Sequence, residues 1–231
     1  ATDTSGNSAS DTFQLTWNTV PPTMGPVTLA TDYDPYVRAN SFTIRATVSD
    51  AAPGLDTTSC EYTLDGVSWN AGEYVSSPSR CRGAGLSALD GADLTLNVRV
   101  KDLAGNQTEG IAITRTADRA IPVTSGIAIS PDAGGYTSGT PTVTANITDS
   151  VSPVTSCEYR TRVTGSGAAG WSAWNSATWS GICTANPTGL TDNTAYDFQI
   201  RGDDSANHTS SSTVSVGNRI SRTTDASAPS A

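Results

Sequence analysis

The chain has 231 residues, of which 15% are charged and 36% hydrophobic, and its net charge is −9. This acidic balance argues against nucleic acid or an anionic membrane surface as a partner, because both need a basic face, while it is compatible with divalent cations. No segment approaches the ~18 uninterrupted apolar residues of a membrane span, so no membrane insertion is expected. The 21 glycines, 12 prolines and many Ser and Thr residues favour an all-β protein with many turns.

Three landmarks recur along the chain and indicate an internal repeat. The chain opens on the turn pattern ATDTSGN, not on the basic and apolar segments of a signal peptide. The recurring landmarks are this turn (3–7, then DLAGN at 102–106 and DSAN at 204–207), the segment TSCEY (58–62 and 155–159), and an Asp or Asn followed by three residues and a proline (18–22, 118–122 and 225–229). Their spacing predicts two complete repeats of about 100 residues. The domains are then 1–20, the terminal strand or strands of a preceding repeat, 21–120 and 121–231.

Alternating apolar residues predict the strands inside each repeat. The residues expected to face the core are Phe42, Ile44, Ala46, Val48, Cys60, Tyr62, Leu64, Leu94, Leu96, Val98 and Val100, then Val143, Ala145, Ile147, Tyr196, Phe198 and Ile200. Aligning these rows pairs Asp102 with Asp204 and predicts that the second turn has lost one residue. A closing strand is expected at 211–223. About seven short strands in each repeat is typical of an immunoglobulin-like (Ig-like) or fibronectin-III-like β-sandwich.

Four cysteines occur in matching contexts. Cys60 and Cys157 each lie in TSCEY, and Cys81 and Cys183 follow them after 21 and 26 residues. Neither spacing is that of a zinc or redox motif, which favours one disulfide in each repeat, each stabilising by roughly 3 kcal/mol. Four buried free thiols are the alternative. Disulfides imply an oxidising compartment and therefore an extracellular or cell-surface protein.

The segment VKDLAGNQTEGIAITRTADRAIP (100–122) resembles the ending of tandem bacterial Ig-like, fibronectin-III-like repeat domains. These domains build large surface adhesins and fibres, and the resemblance covers almost the whole chain. It implies a non-catalytic stalk or fibre segment, holding an adhesive or enzymatic end away from the cell, with neighbouring repeats as partners. The alternatives are a carbohydrate-binding or host-receptor-binding adhesin module, a spacer attached to an enzyme, and a subunit of a strand-exchanged extracellular filament.

Acidic residues are expected to gather at the ends of the repeats. They end a strand (Asp50, Asp149), start the repeated turn (Asp102, Asp204) or precede a linker proline (Asp118, Asp225). No cofactor is required, but calcium takes six to eight oxygen ligands, and some arrays of the kind this chain resembles bind calcium near such positions. Capping of turns by side chains is the alternative. Asn18 replaces the linker aspartate in the first copy, and this exception and the shortened second turn weaken a calcium scheme common to all repeats.

Aromatic residues offer a second candidate site. Trp171 and Trp174 are candidates for stacking on a sugar ring, since aromatic faces pack on apolar sugar faces. The alternative places Trp171, Trp174 and Trp179 in the core or over a disulfide, as in other sandwiches. The RGD sequence at 201–203 is interpreted as the end of a strand and not as a presented loop. His208, the only histidine, is expected to be exposed, and no catalytic constellation is recognised.

Overall fold

The computed structural model describes residues 4–8, 10, 12, 14, 16–30, 34–211 and 219–225. Within them the strands are β1 (Thr23–Met24), β2 (Thr28–Leu29), β3 (Tyr36–Val37), β4 (Phe42–Ser49), β5 (Glu61–Thr63), β6 (Asn70–Ala71), β7 (Glu73–Ser76), β8 (Ser79–Leu86), β9 (Asp93–Lys101), β10 (Gln107–Glu109), β11 (Ile113–Ala117), β12 (Val123–Ser130), β13 (Tyr136–Thr137), β14 (Thr142–Thr148), β15 (Val154–Val163), β16 (Asn175–Trp179), β17 (Cys183–Ala185), β18 (Ala195–Asp204) and β19 (Arg219–Thr224). One short 3-10 helix, Ala168–Gly170, follows β15. None of the described segments forms a helix long and apolar enough to cross a membrane. The predicted all-β class is confirmed.

Hydrogen bonds join these strands into three sheets. The first has the order β1-β4-β8-β7, with β2 also paired to β4, and the second has the order β3-β11-β9-β5-β6, with β10 also paired to β9. The third sheet has the order β12-β14-β17-β16-β15-β18-β19-β13. Within it, β16 pairs with β15 through residues 175–177 and with β17 through residues 178–179. One strand therefore passes from one layer of this sheet to the other.

The chain divides into two compact units. The first consists of residues 1–30, 43–86 and 95–113, and the second of 31–42, 87–94 and 114–231. The repeat boundaries at 20/21 and 120/121 stay a prediction. So does the role of the first 20 residues, since part of that segment, including Asp3 of the first turn, lies outside the described residues. Of the expected closing strand, β19 is described and residues 212–218 are not.

Most of the predicted inward residues are buried, although on β18 Tyr196 is only half-buried while Phe198 and Ile200 are buried. The four residues on β4 are at most 3% exposed, the four on β9 at most 6%, and the three on β14 at most 3%. The prediction for the row around Cys60 was wrong in part, because Tyr62 and Leu64 are only half-buried while Thr63 is completely buried. The Thr63 hydroxyl accepts hydrogen bonds from the N–H groups of Asp65 and Gly66, so a local turn satisfies its polar atom inside the fold.

Both predicted disulfides are present. Cys60–Cys81 joins the end of the loop before β5 to β8, and therefore links the second sheet to the first. Cys157–Cys183 joins β15 to β17 in the third sheet. All four cysteines of the sequence lie among the described residues, and these two bonds use all of them. The bonded cysteines are separated by 21 and 26 residues along the chain, and the pairing is the one that their matching contexts predicted.

Two glycines allow strands to approach closely inside the fold. A Cβ atom on Gly83 of β8 would lie 2.7 Å from Cγ of Tyr62, and one on Gly202 of β18 would lie 2.7 Å from Cδ1 of Ile147. Real Cβ atoms do not approach other carbons so closely, so a larger residue would force these strands apart. In the second unit Ile147 belongs to a core cluster with Phe198, Ile200 and the second disulfide.

Candidate functional site

The repeated turn has the same backbone geometry in both copies. The Asp102 N–H donates to the carbonyl of Asn106 at 3.0 Å, and the Asn106 N–H donates to Asp102 Oδ1 at 2.8 Å. The second copy repeats these bonds at 3.0 and 2.8 Å between Asp204 and His208. The prediction of a shortened second turn was therefore wrong, because DSANH (204–208) has the same length as DLAGN.

The error arose from matching asparagine with asparagine. Gly105 in the first turn has φ +90°, and the residue with positive φ in the second turn is Asn207, at +64°. Asparagine is one of the few residues other than glycine that adopt this left-handed conformation at little cost. Asn207 thus occupies the position of Gly105, and His208 occupies the position of Asn106.

Neutral amides surround the aspartate of the first turn. Asp102 Oδ2 accepts hydrogen bonds from Asn18 Nδ2 at 2.9 Å and from Asn106 Nδ2 at 2.8 Å, and the second amide also donates to the carbonyl of Asn18 at 3.1 Å. Burial raises the pKa of Asp102, but the hydrogen bonds outweigh it and leave the pKa below its usual value. Asp50 accepts a hydrogen bond from the Gly54 N–H at 3.0 Å. In the first unit the two aspartates therefore cap turns, which is the alternative that the sequence left open.

The second unit places three ionisable side chains together in a buried cluster. Asp118 follows β11, Asp204 ends β18 and His208 closes the turn after β18. They are 0%, 4% and 7% exposed, and one ligand atom of each lies within 4.8 Å of the others. His208 Nδ1 is 3.2 Å from Asp204 Oδ2 and 3.9 Å from Asp118 Oδ1. The expectation that His208 is exposed was wrong, because the backbone bonds of the turn hold its side chain towards the two carboxylates.

Several polar atoms in this cluster and in the neighbouring residues Asp149 and Ser152 have no hydrogen-bond partner among the described residues. They are both carboxylate oxygens of Asp118, Oδ2 of Asp149 and the hydroxyl of Ser152. Asp149 Oδ1, by contrast, accepts hydrogen bonds from the N–H groups of Val151 and Ser152 at 2.9 and 3.0 Å. A buried polar group without a partner costs about 1–3 kcal/mol, so such a set calls for an explanation.

The electrostatics of Asp118 reflect this environment. Burial raises the pKa of its carboxyl. The hydroxyl of the neighbouring Ser152 lowers this pKa, although the two groups are not placed to form a hydrogen bond. The charges of Asp149 and Asp204 raise the pKa further, and His208 opposes them. Three carboxylates thus share a small buried volume with a single imidazole.

The six aspartates proposed as calcium ligands therefore fall into separate environments. Asp118, Asp149 and Asp204 lie together in the second unit, and Asp50 and Asp102 lie in the first. Asp225 is exposed after β19, where its N–H donates to the carbonyl of Thr137 at 2.7 Å. Calcium binding stays a prediction. The signal for His208 that sequence reasoning missed is its position four residues after the turn aspartate.

Trp171 and Trp174 contact arginines that belong to β15 and β18. The Trp171 ring centroid is 4.6 Å from Cζ of Arg160 and 4.5 Å from Cζ of Arg162. The Trp174 centroid is 4.4 Å from Cζ of Arg160 and 4.2 Å from Cζ of Arg201. These cation–π contacts use the ring faces that a sugar would need. Sugar stacking at these tryptophans stays a prediction, and it would require displacement of arginine.

Trp179 and the RGD sequence both lie within strands of the third sheet. Trp179 packs against the core cluster that contains the second disulfide, as the alternative interpretation of the tryptophans expected. Residues 201–203 all lie within β18, as interpreted from the sequence. Arg201 Nε donates to Glu158 at 2.7 Å, and Asp203 accepts a hydrogen bond from the Ser156 hydroxyl at 3.0 Å.

No protein-family model matches the chain, and no curated protein matches it. Among solved structures, the chain is similar to the fibronectin(III)-like modules of Clostridium thermocellum CbhA, with a TM-score of 0.43, 10% identity, and coverage of 87% of this chain and 95% of that one. It is also similar to the FN1–FN3 domains of chicken CNTN1, with a TM-score of 0.41, 13% identity, and coverage of 89% and 68%. Both TM-scores are low, so the fold assignment rests on the chain itself. Its strand order and two disulfides confirm the predicted Ig-like or fibronectin-III-like β-sandwich class.

Proposed function

We propose that the chain is a non-catalytic stalk or fibre segment of an exported bacterial surface protein. The observation that carries the proposal is the turn that recurs at 102–106 and 204–208 with the same backbone hydrogen bonds. A turn repeated in this way marks the end of a repeated unit. With all four cysteines in disulfides, the chain suits an oxidising compartment such as the cell surface.

The mechanism is mechanical. Each repeat buries its own core and carries one covalent cross-link, and prolines follow Asn18 and Asp118 in the segments between the predicted repeats. Stiff modules joined by short proline-containing linkers separate a distal domain from the cell more effectively than a flexible chain of equal length does. The partners of such a segment are neighbouring repeats of the same chain or fibre.

The proposal is tested by measuring height above a surface. One, two and three copies of the full chain are placed between a membrane anchor and a fluorescent domain, and the axial position of the fluorophore is measured. We expect the height to grow in proportion to the number of copies. The control is a Gly/Ser linker of matched length, whose mean extension grows only as the square root of length. A height that follows the linker's dependence would contradict the proposal.

Two other functions remain as weaker proposals. Carbohydrate or receptor binding through Trp171 and Trp174 is opposed by the arginines that already contact both rings. A glycan array with the intact chain, in which Trp174→Ala abolishes a signal, would favour it. Strand exchange is opposed by the pairing of β19 with β18 and β13 within the chain. A stable dimer that dissociates when residues 1–20 are removed would favour that alternative.

A further inference from the structure

We propose that Asp118, Asp204 and His208 form a binding site for a divalent transition-metal ion of the zinc type. This inference is independent of the spacer function, since it concerns only side chains of the second unit. Its basis is the buried carboxylate of Asp118, which is 0% exposed and has no hydrogen-bond partner on either oxygen among the described residues. A buried charge without a partner is costly, and coordination of a cation removes that cost.

The geometry suits a small ion. In tetrahedral coordination with metal–ligand distances near 2.1 Å, two ligand atoms are about 3.4 Å apart. Nδ1 of His208 is 3.2 Å from Asp204 Oδ2 and 3.9 Å from Asp118 Oδ1. The third pair, on the two carboxylates, lies within 4.8 Å, so shifts of the side chains by up to about 1 Å would bring the three ligand atoms to the distances that a zinc ion requires. Asp149, whose Oδ2 also has no hydrogen-bond partner in the described part of the chain, adds a third negative charge nearby.

The ligand types distinguish zinc from calcium. Calcium in proteins is held by six to eight oxygen atoms, whereas imidazole nitrogen is a ligand of zinc, copper, iron and nickel. The site offers one imidazole and two carboxylates, and three protein ligands are the number found at zinc sites whose fourth position is taken by water or substrate. The calcium expectation from the aspartates alone did not include the histidine, and the histidine changes the class of ion.

The first unit provides an internal comparison. There Asn18 and Asn106 occupy the positions that correspond to Asp118 and His208, and their amide groups donate hydrogen bonds to Asp102 at 2.9 and 2.8 Å. In the second turn Asp118 and His208 replace these amides: His208 Nδ1 lies 3.2 Å from Asp204 Oδ2, but neither oxygen of Asp118 has a hydrogen-bond partner among the described residues. The same backbone therefore carries a hydrogen-bonded version and a version that needs a cation.

The test measures thermal unfolding and direct binding of the full chain after removal of metal with a chelator. Zn²⁺ is expected to raise the Tm and to bind with a stoichiometry of one, Co²⁺ to give the visible absorption of a tetrahedral site, and Ca²⁺ and Mg²⁺ to leave the Tm unchanged. His208→Asn should weaken zinc binding by more than the roughly 10–100-fold that loss of an outer-sphere partner costs. Asp118→Asn combined with His208→Asn should abolish binding and keep a folded chain, because it reproduces the amides of the first turn.

A reciprocal graft extends the test. Asn18→Asp with Asn106→His is expected to raise the zinc stoichiometry from one to two. A chain that responds only to Ca²⁺ overturns the zinc assignment in favour of the calcium expected from the sequence. A chain that binds no metal, and that Asp118→Asn stabilises in chelator, shows instead that Asp118 is simply protonated, and this also overturns the proposal. Because these readouts do not depend on extension or height, their failure would leave the spacer proposal standing.

Discussion

Reduction of either disulfide should lengthen the extension released when the chain is unfolded by force, by an amount that the structure fixes. The residues between two bonded cysteines cannot extend until the bond is broken. For Cys60–Cys81 the separation is 21 residues, which at about 3.6 Å per residue extends to about 76 Å, or about 70 Å after subtraction of the folded Cα–Cα distance of 5.6 Å. For Cys157–Cys183 the separation of 26 residues and the Cα–Cα distance of 6.0 Å give about 88 Å.

The assay is single-molecule stretching of the full chain between marker domains, before and after reduction. Cys60→Ala with Cys81→Ala should add only the shorter increment, and Cys157→Ala with Cys183→Ala only the longer one. A variant with all four substitutions is the control, because the reducing agent should then change nothing. Each lost bond should also lower the free energy of unfolding by roughly 3 kcal/mol in the chain-entropy model.

The result that would refute this reasoning is a release of the same length in oxidised and reduced chains. Equal increments from the two double variants would also contradict it, because the separations of 21 and 26 residues differ. Either outcome would mean that these bonds do not set the length of chain that force can extract.

Three further predictions concern single side chains. Asp197→Asn should lower the free energy of unfolding at neutral pH by about 3 kcal/mol, because Arg162 Nε donates to this 2% exposed carboxylate at 2.8 Å. Burial raises the pKa of Asp197 but its hydrogen bonds lower it below the usual value, so urea titrations should show this contribution present above the unfolded pKa and lost as the pH falls through the folded one. Trp174→Ala should lower the free energy of unfolding by about 2 kcal/mol in the same measurement, through the loss of two cation–π contacts, while Trp17→Ala, at a residue 79% exposed, should change it by less than about 0.5 kcal/mol. Asn207→Gly should leave the Tm nearly unchanged, whereas Asn207→Ala should cost about 1 kcal/mol, because φ is +64° there.

The sequence was sufficient where a simple period determines the structure. Alternation of apolar and polar residues identified the buried rows of β4, β9 and β14, since side chains on a strand point alternately to its two faces. The matching TSCEY contexts identified both disulfides. These features depend on neighbours along the chain, and the printed sequence contains that information.

The sequence was insufficient where the outcome depends on a single torsion angle or on a distant segment. Matching letters paired Asn207 with Asn106, because nothing in the letters shows which asparagine carries a positive φ. That misalignment concealed the role of His208. The contacts of Trp171 and Trp174 with arginines depend on how the segment after β15 folds back over the sheet, and periodicity does not place such a segment.

The equality of the two five-residue turns changes how relatives of this chain should be sought. A pattern that demands the letters D-x-A-G-N would discard the second copy as degenerate. A pattern built on the backbone asks for an aspartate, then glycine or asparagine three residues later at the left-handed position, and then a polar residue of any kind. A search of genomes with that broader pattern could also classify each copy of the turn by two positions: those of Asn18 and Asn106 in the first copy, and those of Asp118 and His208 in the second. If the zinc proposal holds, two substitutions would be enough for two copies of the turn to differ in ion dependence while sharing one backbone.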